Sequence, residues 1–200
     1  ALGISGINTS ELGSLKTDTL NRFNATQIKA LTTDQIISLI GDQLSALGTA
    51  QLSNLTAGQV TAIETRDLVV MDTNQMRALT VSQVQAFNTS QMASLTTSQL
   101  QALESSDIAG LSVAQVKSLS SSQVGALLTT QVAAMTSAEV VGLSTSQLKA
   151  LNTSQIQKIS ATAISKLSSS QFSAVSTAQV NALTTAQVTA LAATVVGGMS

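Results

Sequence analysis

Two acidic pairs are the residues whose types and spacing come nearest to catalytic chemistry in this chain. Glu64 precedes Asp67 by three residues, and Glu104 precedes Asp107 by the same spacing. Carboxylates so close together could share a proton as general acid and base, or hold a cation. At a helix start the same spacing simply places negative charge where the helix dipole favours it. Nothing else in either segment supports catalysis, so we predict no catalytic residues.

Most other active-site chemistry is missing from the composition. The chain has no His and no Cys, so it lacks the usual general base, thiolate nucleophile and zinc ligands. Its many Ser and Thr residues have no His to activate them. Asp67, Asp72 and Asn74 near Arg66 suggest a metal cluster only weakly, and we interpret them as polar surface. We therefore expect no enzymatic activity, no cofactor and no metal site.

Two further features each have both a functional and a simpler interpretation. Lys158 and Lys166 replace a small residue on either side of Ala163, and they mark either a contact surface or a solvated face; the solvated face is the simpler interpretation. Five Asn-x-Ser/Thr sequons occur, at Asn8, Asn24, Asn54, Asn88 and Asn152. They would accept glycans in a eukaryotic secreted protein. Four of them, however, arise automatically from a repeated pattern of Asn and Ser/Thr.

That pattern is a tandem array of 25 eight-residue repeats over all 200 residues. In steps of eight from 27 to 187, 17 of the 21 positions are Gln, and the exceptions are Asp67, Asp107, Glu139 and Ala163. The residue after this position is always apolar, and so is the residue three further on. The unbroken register predicts one solenoid over residues 1–200.

Each repeat carries the signals of a helix start. In Leu183-Thr184-Thr185-Ala186-Gln187-Val188, Thr184 and Gln187 have the spacing of a capping box, and Leu183 and Val188 that of a hydrophobic staple. A helix of about six residues fits between successive caps, and it is too short to be stable alone. Ile40, Glu64, Glu104 and Leu128 do not fit the cap position. We predict an all-α solenoid of short capped helices, with a small residue in each repeat allowing close packing.

Two other folds share some features of this pattern. In one continuous helix, eight residues turn about 80° beyond two full turns, so the apolar stripe would wind around the helix and pack against nothing. A β-solenoid is the serious alternative, because Val, Ile and Thr suit strands. Apolar residues spaced by three and five do not alternate, however, and regular turn signals are absent.

The packing of the repeats is open at this stage. If three repeats close one coil, 24 residues make one turn, and a helix spacing of about 9–10 Å gives a rod about 80 Å long. Both ends of the sequence are apolar, from Ala1 to Ile4 and from Val195 to Met199. Uncapped ends favour either end-to-end assembly or a longer parent chain.

The overall charge and hydropathy exclude some partners. A formal net charge of −1 gives no electrostatic reason to bind nucleic acid. No apolar run approaches the roughly 20 residues that span a bilayer, so we expect no membrane insertion. The first residues show no basic segment followed by an apolar stretch, so no uncleaved signal peptide is expected.

The run Leu-Thr-Thr-Ser-Gln-Leu-Gln-Ala-Leu at 95–103 returns as Leu-Thr-Thr-Ala-Gln-Val-Thr-Ala-Leu at 183–191. It resembles the repeats of large exported bacterial proteins that are described as adhesins or haem-utilisation exoproteins. The resemblance covers essentially the whole chain and implies export and a place on the cell surface or in the extracellular matrix. No His is present to ligate haem.

These observations give two hypotheses for function. The first is a structural extracellular protein, either an adhesin stalk or a filament subunit that assembles with its own copies through its ends or lateral faces. The second is a solenoid whose polar face binds a glycan, a peptide or ice. A designed repeat protein is a third origin, but misfits such as Ile40 and Leu128 favour natural divergence.

Overall fold

The structure is a computed structural model that describes residues 4–197, with backbone alone for Ser5 and residues 193–197. Within these residues it contains short helices and no strand. The predicted all-α solenoid is therefore confirmed, and the β-solenoid alternative is wrong. Residues 1–3 and 198–200, which include Met199 of the predicted register, lie outside the described residues. None of the described helices combines the length and apolar character that a membrane crossing requires.

The chain divides into two compact units, residues 1–103 and 104–200. The first unit begins with a 3-10 helix at Ile4–Gly6. Its α-helices are α1 (Thr9–Gly13), α2 (Thr17–Leu20), α3 (Ala25–Ala30), α4 (Thr33–Ser38), α5 (Gly41–Ala46), α6 (Thr49–Leu52), α7 (Ala57–Ala62), α8 (Thr65–Leu68), α9 (Thr73–Arg77), α10 (Val81–Ala86), α11 (Thr89–Ser94) and α12 (Thr97–Ala102).

The second unit is built in the same way. Its helices are α13 (Ser105–Ala109), α14 (Val113–Ser118), α15 (Ser121–Ala126), α16 (Thr129–Ala134), α17 (Ser137–Gly142), α18 (Thr145–Ala150), α19 (Thr153–Ile156), α20 (Ala161–Ser165), α21 (Ser169–Ala174), α22 (Thr177–Asn181) and α23 (Thr185–Gly197).

A capping box marks the start of most of the short helices, as α7 illustrates. The Thr56 hydroxyl accepts a hydrogen bond from the Gln59 backbone N–H at 3.3 Å. The Gln59 Oε1 in turn accepts one from the Thr56 N–H at 2.7 Å. Two of the unpaired amides of the helix start are thereby satisfied. The helix ends at Ala62, and the backbone of the following residue, Ile63, is extended (φ −62°, ψ 125°), so that the next cap can follow.

Each helix packs against the helix three places before it and the helix three places after it in its unit. In the first unit α1, α4, α7 and α10 form one column, α2, α5, α8 and α11 a second, and α3, α6, α9 and α12 a third. The second unit repeats this arrangement, with α14, α17, α20 and α23 as one of its columns. Because α1 and α4 begin at Thr9 and Thr33, one coil takes 24 residues. Three repeats therefore close one coil, a number that the sequence alone left open.

The two apolar positions of the repeat form the core. The residue after the Gln is almost fully buried in most repeats, as Ile28, Val60 and Leu100 show with exposures of 0%. The second apolar position is also buried in most of them, as at Leu31 and Leu95. A short helix buries so little by itself that its stability comes from the coils on either side of it.

Small residues permit this close stacking of coils. A Cβ added to Gly125 would lie 2.8 Å from the carbonyl oxygen of Ala150, in the next coil. One added to Gly13 would lie 3.3 Å from the carbonyl oxygen of Ser38. Ala150 and Ser38 both occupy the small-residue position that precedes the second apolar residue. The sequence interpretation of this position is thus supported by direct contacts.

The imperfect caps have two different outcomes. Ile40 and Leu128 still precede helices, because the Oε1 atoms of Gln43 and Gln131 accept their backbone N–H groups at 3.2 and 2.8 Å. At Ala192 the expectation of a new helix every eight residues is wrong, since α23 continues for 13 residues. Here Ala stands at the cap position and Val at the Gln position, so both halves of the box are missing and Ala favours a continuous helix.

Two glycine substitutions should distinguish the effect of coil–coil contact on the free energy of unfolding from the effect of helix propensity. We expect Gly125→Ala to lower the free energy of unfolding by about 1–3 kcal/mol, because the new methyl group meets a backbone oxygen that cannot rotate away. Gly58→Ala is the control, since nothing lies within 4 Å of its added Cβ. It should be neutral or stabilising by about 0.5–1 kcal/mol. Chemical denaturation followed by circular dichroism measures both, and equal effects would contradict the close contact.

Candidate functional site

The Gln of each repeat is the polar group that the fold positions most consistently. Gln91 and Gln187 are each 1% exposed. The Oε1 of each accepts the N–H of its own cap residue, as in the capping box of α11. The Nε2 donates to the preceding coil: that of Gln187 lies 2.8 Å from the carbonyl oxygen of Ile156 and 2.7 Å from that of Ile159. One amide thus bridges two coils.

The acceptors are two carbonyl groups at the end of a short helix: one already accepts the N–H of the C-cap residue, as Ile28 does from Leu31, and the other is the carbonyl of that C-cap residue. Gln59 Nε2 lies 2.7 Å from the carbonyl oxygens of both Ile28 and Leu31, near the end of α3. The last carbonyls of any helix lack a following N–H group, and leaving them unpaired in the core would cost free energy. In a six-residue helix these groups are a large share of the backbone, so the Gln amide completes hydrogen bonding that the helix cannot.

Sequence reasoning identified the Gln as a capping residue and missed its second role. The capping box accepts Glu as readily as Gln, because only a side-chain oxygen is needed. The strong preference for Gln among the repeats therefore carried a signal that a donor is required as well. The bonds themselves join residues 28 and 31 positions apart, and that separation becomes meaningful only once the coil length is known.

The first acidic pair is held together by an arginine. Glu64 is the cap residue of α8 and Asp67 its third residue. Arg66 forms an ion pair with Glu64 Oε2, and its Nε lies 3.5 Å from Asp67 Oδ2. Asp67 occupies a Gln position and is 6% exposed. The single positive charge of Arg66 offsets part of the negative charge of the two carboxylates, and the arrangement is that of a charged helix start.

Among the residues that the structure describes, no cation is paired with the second acidic pair. Glu104 is the cap residue of α13, and its backbone N–H donates to Asp107 Oδ2 at 2.8 Å. Asp107 is 2% exposed. Burial raises the pKa of Asp107, the bond from the Glu104 backbone opposes that shift, and the Glu104 charge adds to it. Proton sharing of the kind used in catalysis would need a substrate-accessible carboxyl, and this one is enclosed.

The other residues noted in the sequence are dispersed. Asp72 caps α9 and accepts the Gln75 N–H at 2.8 Å, while Asn74 accepts a bond from Arg77. Within residues 4–197, no group of three or more acidic residues is placed to hold a metal ion. Lys158 and Lys166 are exposed.

The sequons follow the repeat as expected. Four of the asparagines are the cap residues of their helices: Asn8, Asn24, Asn88 and Asn152. The fifth, Asn54, donates from Nδ2 to the carbonyl oxygen of Ala50 at 2.7 Å.

Each unit also carries a shallow polar groove on its surface. In the first unit it has a volume of about 620 Å³ and is lined by residues that include Ile37, Thr61, Glu64, Asn88 and Ser90. In the second unit a groove of about 570 Å³ is lined at the corresponding repeat positions by Lys117, Val141, Ser144, Ser168 and Ser170. The recurrence shows that the groove belongs to the repeat, while its lining changes from repeat to repeat.

Replacing a bridging glutamine should be costly. We expect Gln59→Leu to lower the free energy of unfolding by about 3–5 kcal/mol, because it removes the bonds to Thr56, Ile28 and Leu31 and leaves the Thr56 N–H and the Leu31 carbonyl without those partners. Gln27 makes only the cap bond to the Asn24 N–H among the described residues. Gln27→Leu should therefore cost about 1 kcal/mol, as the loss of a cap interaction does. Similar losses in urea denaturation would contradict the bridging role.

The repeat that lacks the amide offers the opposite test. Ala163 is fully buried at a Gln position. By the register of the repeat, the amide of a Gln at this position would donate to the carbonyl groups of Val132 and Met135. We expect Ala163→Gln to raise the free energy of unfolding by about 1–3 kcal/mol through the added bonds. Ala163→Leu has a similar volume and no donor, so it is the control and should not stabilise. Thermal melts of both variants give the comparison.

Comparison with known proteins gives a family for this chain. The sequence matches the family model described as the ALTTAQ repeat at residues 4–40, 60–97 and 100–137. The hexapeptide Ala-Leu-Thr-Thr-Ala-Gln itself occurs at 182–187, where it supplies the cap and bridging positions of α23. No curated protein is matched by the sequence. Because the matched segments cover more than half of the residues, this chain belongs to the ALTTAQ repeat family.

Proposed function

We propose that this chain is a structural protein of the bacterial cell exterior, either the stalk of an adhesin or a subunit of a filament. The observation that carries the proposal is the buried Gln amide that links each coil to the one before it. This hydrogen-bonded link between coils recurs along each unit, so tension or shear applied to a unit is distributed over many similar contacts. A stalk or a filament needs that property, whereas an enzyme needs one distinctive site.

The chemistry of the outer positions agrees with this proposal. The exposed positions of the repeats are mostly Ser, Thr, Asn and Ala, and charged residues are 10% of the chain. A neutral hydroxyl-rich surface gives little long-range attraction for any one charged partner. The resemblance to exported adhesin-like proteins supports a place at the cell surface. An antibody against the chain should then label intact, unpermeabilised cells of the source organism.

Assembly between copies would use the same contact that joins the coils. Val180 and Val188 occupy the position that is buried in earlier coils, yet they are 38% and 51% exposed. A coil from a second copy would bury these side chains and gain about 25 cal/mol for each Å² of apolar surface removed from water. Contacts of this head-to-tail type extend into filaments when they do not close.

Sedimentation velocity over a range of concentrations tests the assembly. We expect the chain to form larger species as its concentration rises, and Val188→Lys to abolish them by placing a charge in the contact. Leu128→Lys is the matched control, because Leu128 is also exposed (45%) but lies at a cap position in the middle of the chain. It should leave assembly unchanged.

A chain that stays monomeric at high concentration, in both sedimentation and electron micrographs, would refute the filament subunit. The stalk would then rest on the labelling of intact cells. Labelling only after permeabilisation would refute that form too.

The recurring groove favours a second candidate function, the binding of a glycan or an extended peptide. Hydroxyl and amide side chains line both grooves, and such groups can hydrogen-bond sugar hydroxyls or a peptide backbone. A glycan array probed with the labelled chain tests this candidate. Binding that is lost in Asn88→Ala would support it, and an array without signal would exclude glycans of the types displayed.

A further inference from the structure

Glu139 stands where most other repeats have the bridging Gln, and its surroundings leave one carboxyl oxygen unused. The residue is 1% exposed. Its Oε2 accepts the backbone N–H of Thr136, and the Thr136 hydroxyl accepts the Glu139 N–H at 3.3 Å, so the capping box is intact. Its Oε1 is buried and has no hydrogen-bond partner. This oxygen occupies the place of the Gln Nε2.

The register identifies what faces that oxygen. In the next repeat the Nε2 of Gln147 donates to the carbonyl oxygens of Val116 and Leu119 at 3.1 and 2.7 Å. The corresponding carbonyls for Glu139 are those of Ile108 and Leu111, 31 and 28 residues earlier. An ionised carboxylate has no hydrogen to offer them, and it would set negative charge against the negative end of a helix.

We propose that Glu139 carries a proton in the folded chain. Its carboxyl O–H then donates to the carbonyl oxygen of Ile108, at the end of α13, or to that of Leu111, as the Gln amide does in other repeats. A neutral carboxylic acid accepts through one oxygen and donates through the other, which is the pattern of the Gln side chain. The hydrogen bond from Glu139 to the preceding coil then forms only while the carboxyl is protonated, whereas the Gln bonds of the neighbouring repeats do not depend on protonation.

The electrostatic surroundings agree with a protonated acid. Burial raises the pKa of Glu139, and the bonds from the Thr136 backbone and hydroxyl oppose that shift only in part. Helix α17 packs against α14 and α20. The charged groups on or beside these helices and α13 are Lys117, Lys158, Lys166, Glu104 and Asp107. The three lysines are exposed, and the ion pairs found among the described residues involve Arg66 alone as the cation.

The sign of the pH dependence follows from the raised pKa. In the folded chain Glu139 holds its proton to a higher pH than in the unfolded chain, so the folded state binds more protons between the two pKa values. The stabilisation is complete below the unfolded pKa and is lost as the pH rises through the folded pKa. A tenfold preference for the proton corresponds to about 1.4 kcal/mol, or about 3–5 °C in melting temperature for a chain of this size.

The direct test is a titration of the Glu139 side-chain carboxyl carbon by NMR in the full chain. We expect the carboxyl to titrate above the ordinary range for Glu. Titration within or below that range would overturn the proposal, and this measurement does not depend on any variant folding.

Thermal melts across the same pH range give the functional readout. As the pH rises, the wild-type melting temperature should fall by about 3–5 °C for each tenfold by which the folded chain prefers the protonated carboxyl. Glu139→Gln should remove the part of this fall that comes from Glu139, while the part that comes from Asp107 stays. Gln147→Glu is the converse variant, since it places the same acid against the Val116 and Leu119 carbonyls and should add a fall of the same sign. A melting curve that depends equally on pH in the wild type and in Glu139→Gln would overturn the proposal.

Discussion

The buried Gln amide is the interaction on which the rest of this structure depends. A helix of six residues satisfies few of its own backbone groups, because the first amides and last carbonyls of any helix lack internal partners. The amide of Gln59 closes its own helix start through Oε1 and the end of an earlier helix through Nε2. Polar groups that would otherwise be costly to bury thus become the connection between coils.

This double use of one side chain explains which deviations the array tolerates. Ile40 and Leu128 lack the cap oxygen, but the Gln of the same repeat still accepts their N–H groups and the helix starts in register. At Ala192 both partners are missing and α23 runs on. The Gln half of the capping box is therefore sufficient to start a helix in this fold. The acidic replacements keep the acceptor and lose the donor, which makes Glu139 sensitive to protonation.

A repeating contact of this kind also bears on function. Each coil–coil contact is nearly equivalent to the next, so stability is distributed over the chain in place of one central core. The local variation lies on the outer positions, where the grooves of the two units share a geometry but differ in their side chains. A structural role depends on the coil–coil contact that recurs in the repeats, whereas a binding role would depend on the groove side chains that differ between repeats. The two proposed functions thus draw on different parts of the same repeat.

The sequence by itself determined everything that depends on neighbours within one repeat. The capping box links residues three apart, and the apolar positions follow the helix period, so helix starts and core residues such as Val60 and Leu100 could be predicted correctly. The Gln bridge, the three repeats in each coil and the burial of Glu139 were decided by the tertiary structure. They depend on contacts between residues 28 and 31 positions apart. Such contacts exist only once the coil has closed, and no local hydrogen bond or propensity specifies that closure.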